Sequence, residues 1–133
     1  MGKDYKEFDD TDFELINVLI RVFSTMLKIN KNVVVFTKEQ WLNIYESQST
    51  KKEKLNVSTE MDYVFGQCDP EVGIIYLNPR LCRREFNVLV LTIVHELLHI
   101  RFPKKSEEYV QTMERRLTGR YDSPISEFKC GNR

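Results

Sequence analysis

The stretch that most restricts this chain is VLVLTIVHELLHI, residues 88–100, which is apolar almost all the way round when wound as a helix. A helix with no wet face cannot lie on a surface, so other elements must enclose it. Its thirteen residues also fall short of the ~18–20 that a membrane span requires. Pro103 stops it, because the residue before a proline is pushed out of the helical region. The polar exceptions within it include the only two histidines of the chain, His95 and His99, with Glu96 beside the first. Burying an imidazole or a carboxylate is costly unless something satisfies it. The run therefore implies both a central helix and a reason for its polar residues.

The surrounding chain offers enough material for one enclosing domain. It has 133 residues, 41% of them hydrophobic, and 20 basic side chains against 20 acidic ones. This predicts a single domain over 1–133, with a polar tail from about 118. The balanced charge gives no global field to draw nucleic acid or an anionic membrane. Cys68, Cys82 and Cys130 show no CxxC spacing, and the N-terminus lacks the apolar core of a signal peptide. Both features read as a cytoplasmic, reducing location with no membrane partner.

Thr11, Asp12, Phe13 and Glu14 spell a capping box, followed by apolar residues at helical spacing from Phe13 to Leu27. This predicts an amphipathic backing helix. Val33 to Phe36 reads as a short buried strand, and residues 39–46 as a helix with Trp41, Leu42 and Tyr45 on one side. Residues 47–54 are polar and aperiodic, which predicts an exposed loop. Tyr63, Val64 and Phe65 pair by pattern with Ile74, Ile75, Tyr76 and Leu77 across a turn containing Pro70 and Gly73, a predicted β-hairpin. Asn78 and Pro79 suit a helix N-cap and first turn. Ser106 caps a last helix, residues 107–117, with Val110, Met113 and Leu117 inward. The expected fold class is α+β: a small mixed sheet packed on a backing helix and a buried central helix.

HELLH, residues 95–99, matches HExxH. On a helix, positions i and i+4 share a face about 6 Å apart, so both imidazoles can reach one ion. A shuffle of this composition yields the pattern in roughly 0.15% of cases, which makes coincidence a poor explanation. Imidazole nitrogens suit Zn²⁺, which in catalytic sites takes three protein ligands and activates a water. Glu96 is then placed as general base, taking the water's proton and later delivering it to a leaving amine. The competing reading makes both histidines core residues bonded to backbone carbonyls, which leaves the buried Glu96 unexplained.

A third ligand cannot be histidine, since no other exists. A carboxylate after the turn at 101–105 is the natural substitute. On the wheel defined by Val110, Met113 and Leu117, Glu107 lies about 90° from the buried centre and Glu108 nearly opposite it. Glu107 is the favoured candidate and Glu108 the next, ahead of Glu114, Asp122 and Cys130. Acidic residues in a first helical turn also need no metal, because they complement the helix dipole.

GIIYLNPRL from Gly73, then VHELLHIRFP, then a short helix, together residues 73–117, resemble the minigluzincins. These are small soluble zincin metallopeptidases similar to the catalytic domains of HtpX-type membrane enzymes. The resemblance implies a zincin-like fold, zinc-dependent endopeptidase activity and a peptide or protein substrate. Other small zincins, SprT-like and WLM-type, carry a third histidine where this chain has Lys105, and a protonated lysine is a poor ligand. In gluzincins a glutamate opens the ligand helix with a small or apolar residue three positions on, and Glu107 with Val110 is similar. The resemblance further implies that Ile74, Ile75, Tyr76 and Leu77 form an edge strand that pairs with extended substrate. The residues alone equally allow a core strand. It also implies latency through a C-terminal tail that covers the cleft, against which stands the favoured reading of a disordered end; the Cys130 thiolate is a separate candidate for the metal's open position.

Two alternatives belong to other classes. One is a catalytically silent, zinc-stabilised interaction module. The other is an SprT-like, nucleic-acid-associated protease, suggested by the basic residues at 51–52, 80–84, 104–105 and 115–116. Acidic neighbours accompany most of these, which favours solvated helix faces and makes nucleic acid an unlikely partner. Homo-oligomerisation stays open.

Overall fold

The computed structural model describes residues 7–44, 59–82 and 85–119, and the backbone of 131–132. Helix α1, Asp10–Met26, begins one residue before the expected box. Asp9 is the cap: its Oδ1 accepts from the Asp12 backbone N–H at 2.8 Å, and Asp12 Oδ2 accepts from the Asp9 N–H at 2.9 Å. The reason for this start lies just outside the helix. Phe8 packs edge-on against Phe13 with ring centroids 5.7 Å apart, a hydrophobic staple that fixes where the chain enters.

Strand β1, Val34–Phe36, leads into helix α2, Lys38–Ile44, which buries Trp41. The expected loop at 47–54 and Tyr45 lie outside the described residues. Strand β2 is Gly66–Asp69 and strand β3 is Ile74–Leu77. The hairpin is therefore real, but its first strand lies beyond Tyr63, Val64 and Phe65. The turn sets this register: Asp69 Oδ1 accepts from the N–H groups of Glu71 and Val72, and Gly73 closes the turn at φ +87°. Asp69 is thereby placed opposite Ile74, and Gly66 opposite Leu77. The carbonyls of Met61 and Val64 instead accept from the buried Asn78 side chain, at 3.1 and 2.9 Å.

The sheet order is β1-β3-β2-β4, where β4 is Gly131–Asn132. β1 runs parallel to β3, β2 antiparallel to β3, and β4 parallel to β2. This corrects the edge-strand expectation for Ile74, Ile75, Tyr76 and Leu77. All four are buried in a strand flanked by β1 and β2, so it presents no free edge along which a peptide could pair. The parallel partner β1 arrives from a distant segment, which a hairpin pattern does not reveal.

Helix α3, Pro79–Cys82, starts as expected at Asn78, whose Oδ1 accepts from the Arg80 N–H at 3.0 Å. Helix α4, Phe86–Arg101, is the enclosed helix, and helix α5, Glu107–Thr118, follows it. Ile75 and Leu77 join Ile16, Ile20, Leu91, Ile93 and Leu97 in the main core between sheet, α1 and α4. Ile74 and Tyr76 face the other way, onto Trp41 and Met61. Val94 and Leu98 of α4 meet Val110 of α5. The architecture is α+β, a mixed sheet with helices packed on it, as the sequence predicts. Among the described residues no helix is long and apolar enough to cross a membrane.

Candidate metal centre

The site is built where β2, α4 and α5 meet. β2 can press against α4 because Gly66 has no side chain. A Cβ there would lie 2.8 Å from the Tyr76 carbonyl oxygen, 3.0 Å from Thr92 Cγ2 and 3.5 Å from Glu96 Cγ. One turn of α4 separates His95 from His99, whose ring centroids are 4.9 Å apart at 68°. Both imidazoles are buried.

After α4 the chain turns through residues 102–105 and restarts at Ser106, whose Oγ accepts from the Tyr109 N–H at 3.1 Å. The cap fixes Glu107 as the first residue of α5. Its Oε2 lies 2.8 Å from His95 Nε2 and its Oε1 2.9 Å from His99 Nε2. His95, His99 and Glu107 each offer a ligand atom, and these atoms lie within 4.8 Å of one another, so the group can hold a metal ion. Two imidazoles and one carboxylate are a donor set that suits zinc. Glu108 is exposed on α5 and stands outside this group. Asp122 and Cys130 lie outside the described residues.

Glu114 has a different place from the one considered for it. Its Oε1 lies 3.0 Å from His95 Nδ1, on the far side of the ring from Glu107, and the residue is buried. A metal needs the Nε2 lone pair, which requires the proton on Nδ1, and Glu114 is the acceptor for that N–H. This also corrects the expected inward face of α5. Leu117 is 45% exposed, whereas Glu114 points inward with Val110. A carboxylate can take a core position here because an imidazole N–H meets it. Its seven-residue spacing from Glu107, which puts both on one helix face, was the available signal.

Burial pushes the Glu107 carboxyl up, but its contacts with the His95 and His99 imidazoles outweigh burial and hold it well below the usual carboxylate range. Glu96 moves the other way. Burial raises its proton affinity, opposed by the two imidazoles and the Cys68 thiol and reinforced by the charge of Glu107. The residue is fully buried, and neither carboxylate oxygen meets a nitrogen or oxygen donor among the described residues. The cluster thus holds one carboxylate kept ionised beside the imidazoles and a second that favours its proton.

Comparison with known proteins agrees with this chemistry. No curated protein matches the chain. The crystal structure of the metallopeptidase zymogen abylysin from Pyrococcus abyssi is similar with a TM-score of 0.53, at 14% identity, over 89% of this chain and 99% of that one. At that identity the likeness speaks for the fold, and it is in keeping with the minigluzincin resemblance. A family model described as the YgjP-like metallopeptidase domain matches residues 28–122, which takes in β1 to β3, α4 and α5. The match spans most of the sequence and every residue of the His–His–Glu group, and the chain belongs to the YgjP-like metallopeptidase family.

Proposed function

We propose that this protein is a zinc-dependent endopeptidase of the HExxH type, held latent by its C-terminal tail. His95, His99 and Glu107 hold the ion, and Glu96 is the general base and then the general acid. The observation that carries the reading is the convergence of two buried imidazoles and Glu107 within one cluster, with Glu96 beside it. Zn²⁺ in that cluster supplies Lewis acidity, lowering the pKa of a water toward ~7 and polarising the scissile carbonyl. The chain's own residues do the rest. Glu114 keeps the proton of His95 on Nδ1, so that Nε2 faces the cluster. Glu96, with its proton affinity raised by burial, accepts the proton from the attacking water and returns it to the leaving amine.

An extended peptide needs a strand edge, and β2 is the strand next to the site. Its side away from β3 pairs with β4 in the register Gln67 to Gly131 and Cys68 to Asn132. The tail thus takes the edge that a substrate would use, and Glu96 is sealed from solvent. Both observations support latency, as does the description of abylysin as a zymogen. The buried thiols of Cys68 and Cys82, which form no disulfide, fit a reducing, cytoplasmic location.

The test compares cleavage of a peptide library by the full chain, by a chain ending at Gly119, and by Glu96→Gln in both lengths. Truncation is expected to raise turnover. Glu96→Gln lowers it by about 10²–10⁴-fold with zinc content unchanged. Wild-type turnover by Glu96→Gln removes Glu96 from its role, and equal turnover at both lengths removes latency.

A further inference from the structure

Helix α1 carries an apolar stripe that belongs to no buried cluster among the described residues. Leu15, Val18, Val22 and Met26 are 40%, 47%, 49% and 60% exposed. At 100° per residue they fall within one sector of about 80°, whose centre lies about 115° from the buried Ile16 and about 155° from Ile20. The flank beside the stripe is charged, with a definite polarity. Asp10 and Glu14 lie toward its start, Arg21 further along, and Lys28 just past its end. All four are exposed, and none is in an ion pair among the described residues.

A helix face with an apolar centre, an acidic first half and a basic second half complements itself when a second copy is laid antiparallel. Glu14 and Arg21 are seven residues apart, so they share a flank within about 20°. A two-fold axis passing near Val18 brings Glu14 of each copy opposite Arg21 of the other. The same axis sets Val18 against Val18 and Leu15 against Val22, and carries Asp10 toward Lys28. A partner of a single charge would leave half of this face opposed by like charge. We propose that α1 is the contact face of an isologous two-fold dimer of this chain, packed antiparallel through Leu15, Val18, Val22 and Met26 and registered by Glu14–Arg21 pairs.

The size of the contact sets its strength. Seventeen residues of helix span about 25 Å, and a strip of that length and one helix wide buries less than the ~1,600 Å² of a standard interface. The dimer is therefore reversible, forming at micromolar or higher concentration. It involves no residue of the metal cluster.

Sedimentation velocity on the full-length protein, from about 5 µM to 0.5 mM at low salt, tests this. A monomer–dimer equilibrium that weakens with added salt is expected. Glu14→Arg or Arg21→Glu alone sets like charges opposite each other and raises Kd about tenfold or more, and an equimolar mixture of these two variants recovers dimer. The double variant Glu14→Arg/Arg21→Glu exchanges the charges and restores Kd to within about threefold of wild type. Val18→Asp abolishes association, while circular dichroism and zinc content stay those of the wild type. A wild-type protein that stays monomeric throughout overturns the proposal. So does a dimer indifferent to Val18→Asp, or one equally weakened by the single and double reversals.

Discussion

Helices α1 and α4 share one core beside the sheet, yet they treat their polar residues in opposite ways. α4 buries twelve of its sixteen residues, His95, Glu96 and His99 among them, whereas α1 buries Ile16 and Ile20 alone. Water satisfies the charges of α1. The buried imidazoles of α4 have to be met by protein groups, and α5 supplies them as Glu107 and Glu114. The difference teaches that α4 depends on its site in a way α1 does not: its buried imidazoles are tolerable because they are partnered, and those partners come from one short helix fixed by the Ser106 cap.

The largest break in this comparison should come from His95→Ala. It removes a proposed ligand and leaves Glu114 buried without its imidazole, so zinc is lost and the metal-free protein is destabilised by about 3–5 kcal/mol in denaturant melts. Leu97→Ala, in the core face of α4, should cost about 2–5 kcal/mol in the same melts. Glu114→Gln keeps a hydrogen-bonding group but weakens the hold on Nδ1. Competition titration should show zinc affinity down by about 10–100-fold with the fold retained. In metal-free protein, Glu107 gives a pH test. Its carboxyl is held low in the folded state, so its contribution is complete above the ordinary carboxylate range and is lost as pH falls through the lowered folded value. The difference in melting temperature between wild type and Glu107→Gln should shrink as pH falls, and a difference that grows with acid contradicts the assignment. On α1 the effects are smallest. Asp9→Ala should cost about 1 kcal/mol through the lost cap. Leu15→Gln, measured in dilute protein, should stay within about 0.5 kcal/mol.

Much of this was legible in the sequence because it is local. An apolar run with Pro103 behind it dictates an enclosed helix, HELLH puts two imidazoles on one face, and Ser106 marks where the next helix starts. The favoured choice of Glu107 over Glu108 followed from the turn of that helix alone, and the structure places Glu107 against both imidazoles. What was not legible depends on tertiary placement. β3 looks like a hairpin strand, but its second partner is β1, some forty residues earlier, so Ile74, Ile75, Tyr76 and Leu77 are interior. The wheel built on Leu117 pointed inward at the wrong residue, because a buried carboxylate is unfavourable unless an imidazole meets it. That imidazole belongs to another helix. The cap of α1 moved for a similar reason, since the Phe8–Phe13 contact precedes the pattern that periodicity detects.

The central claim is that three side chains from two helices hold one zinc ion. Native mass spectrometry of chelator-free protein and of four variants tests it most directly. The account predicts one zinc per chain in the wild type, in Glu96→Gln and in Glu108→Ala, and none in His99→Ala or Glu107→Ala. A zinc-free wild type that takes up none when it is supplied contradicts the account, and full zinc occupancy in Glu107→Ala contradicts the assigned third ligand.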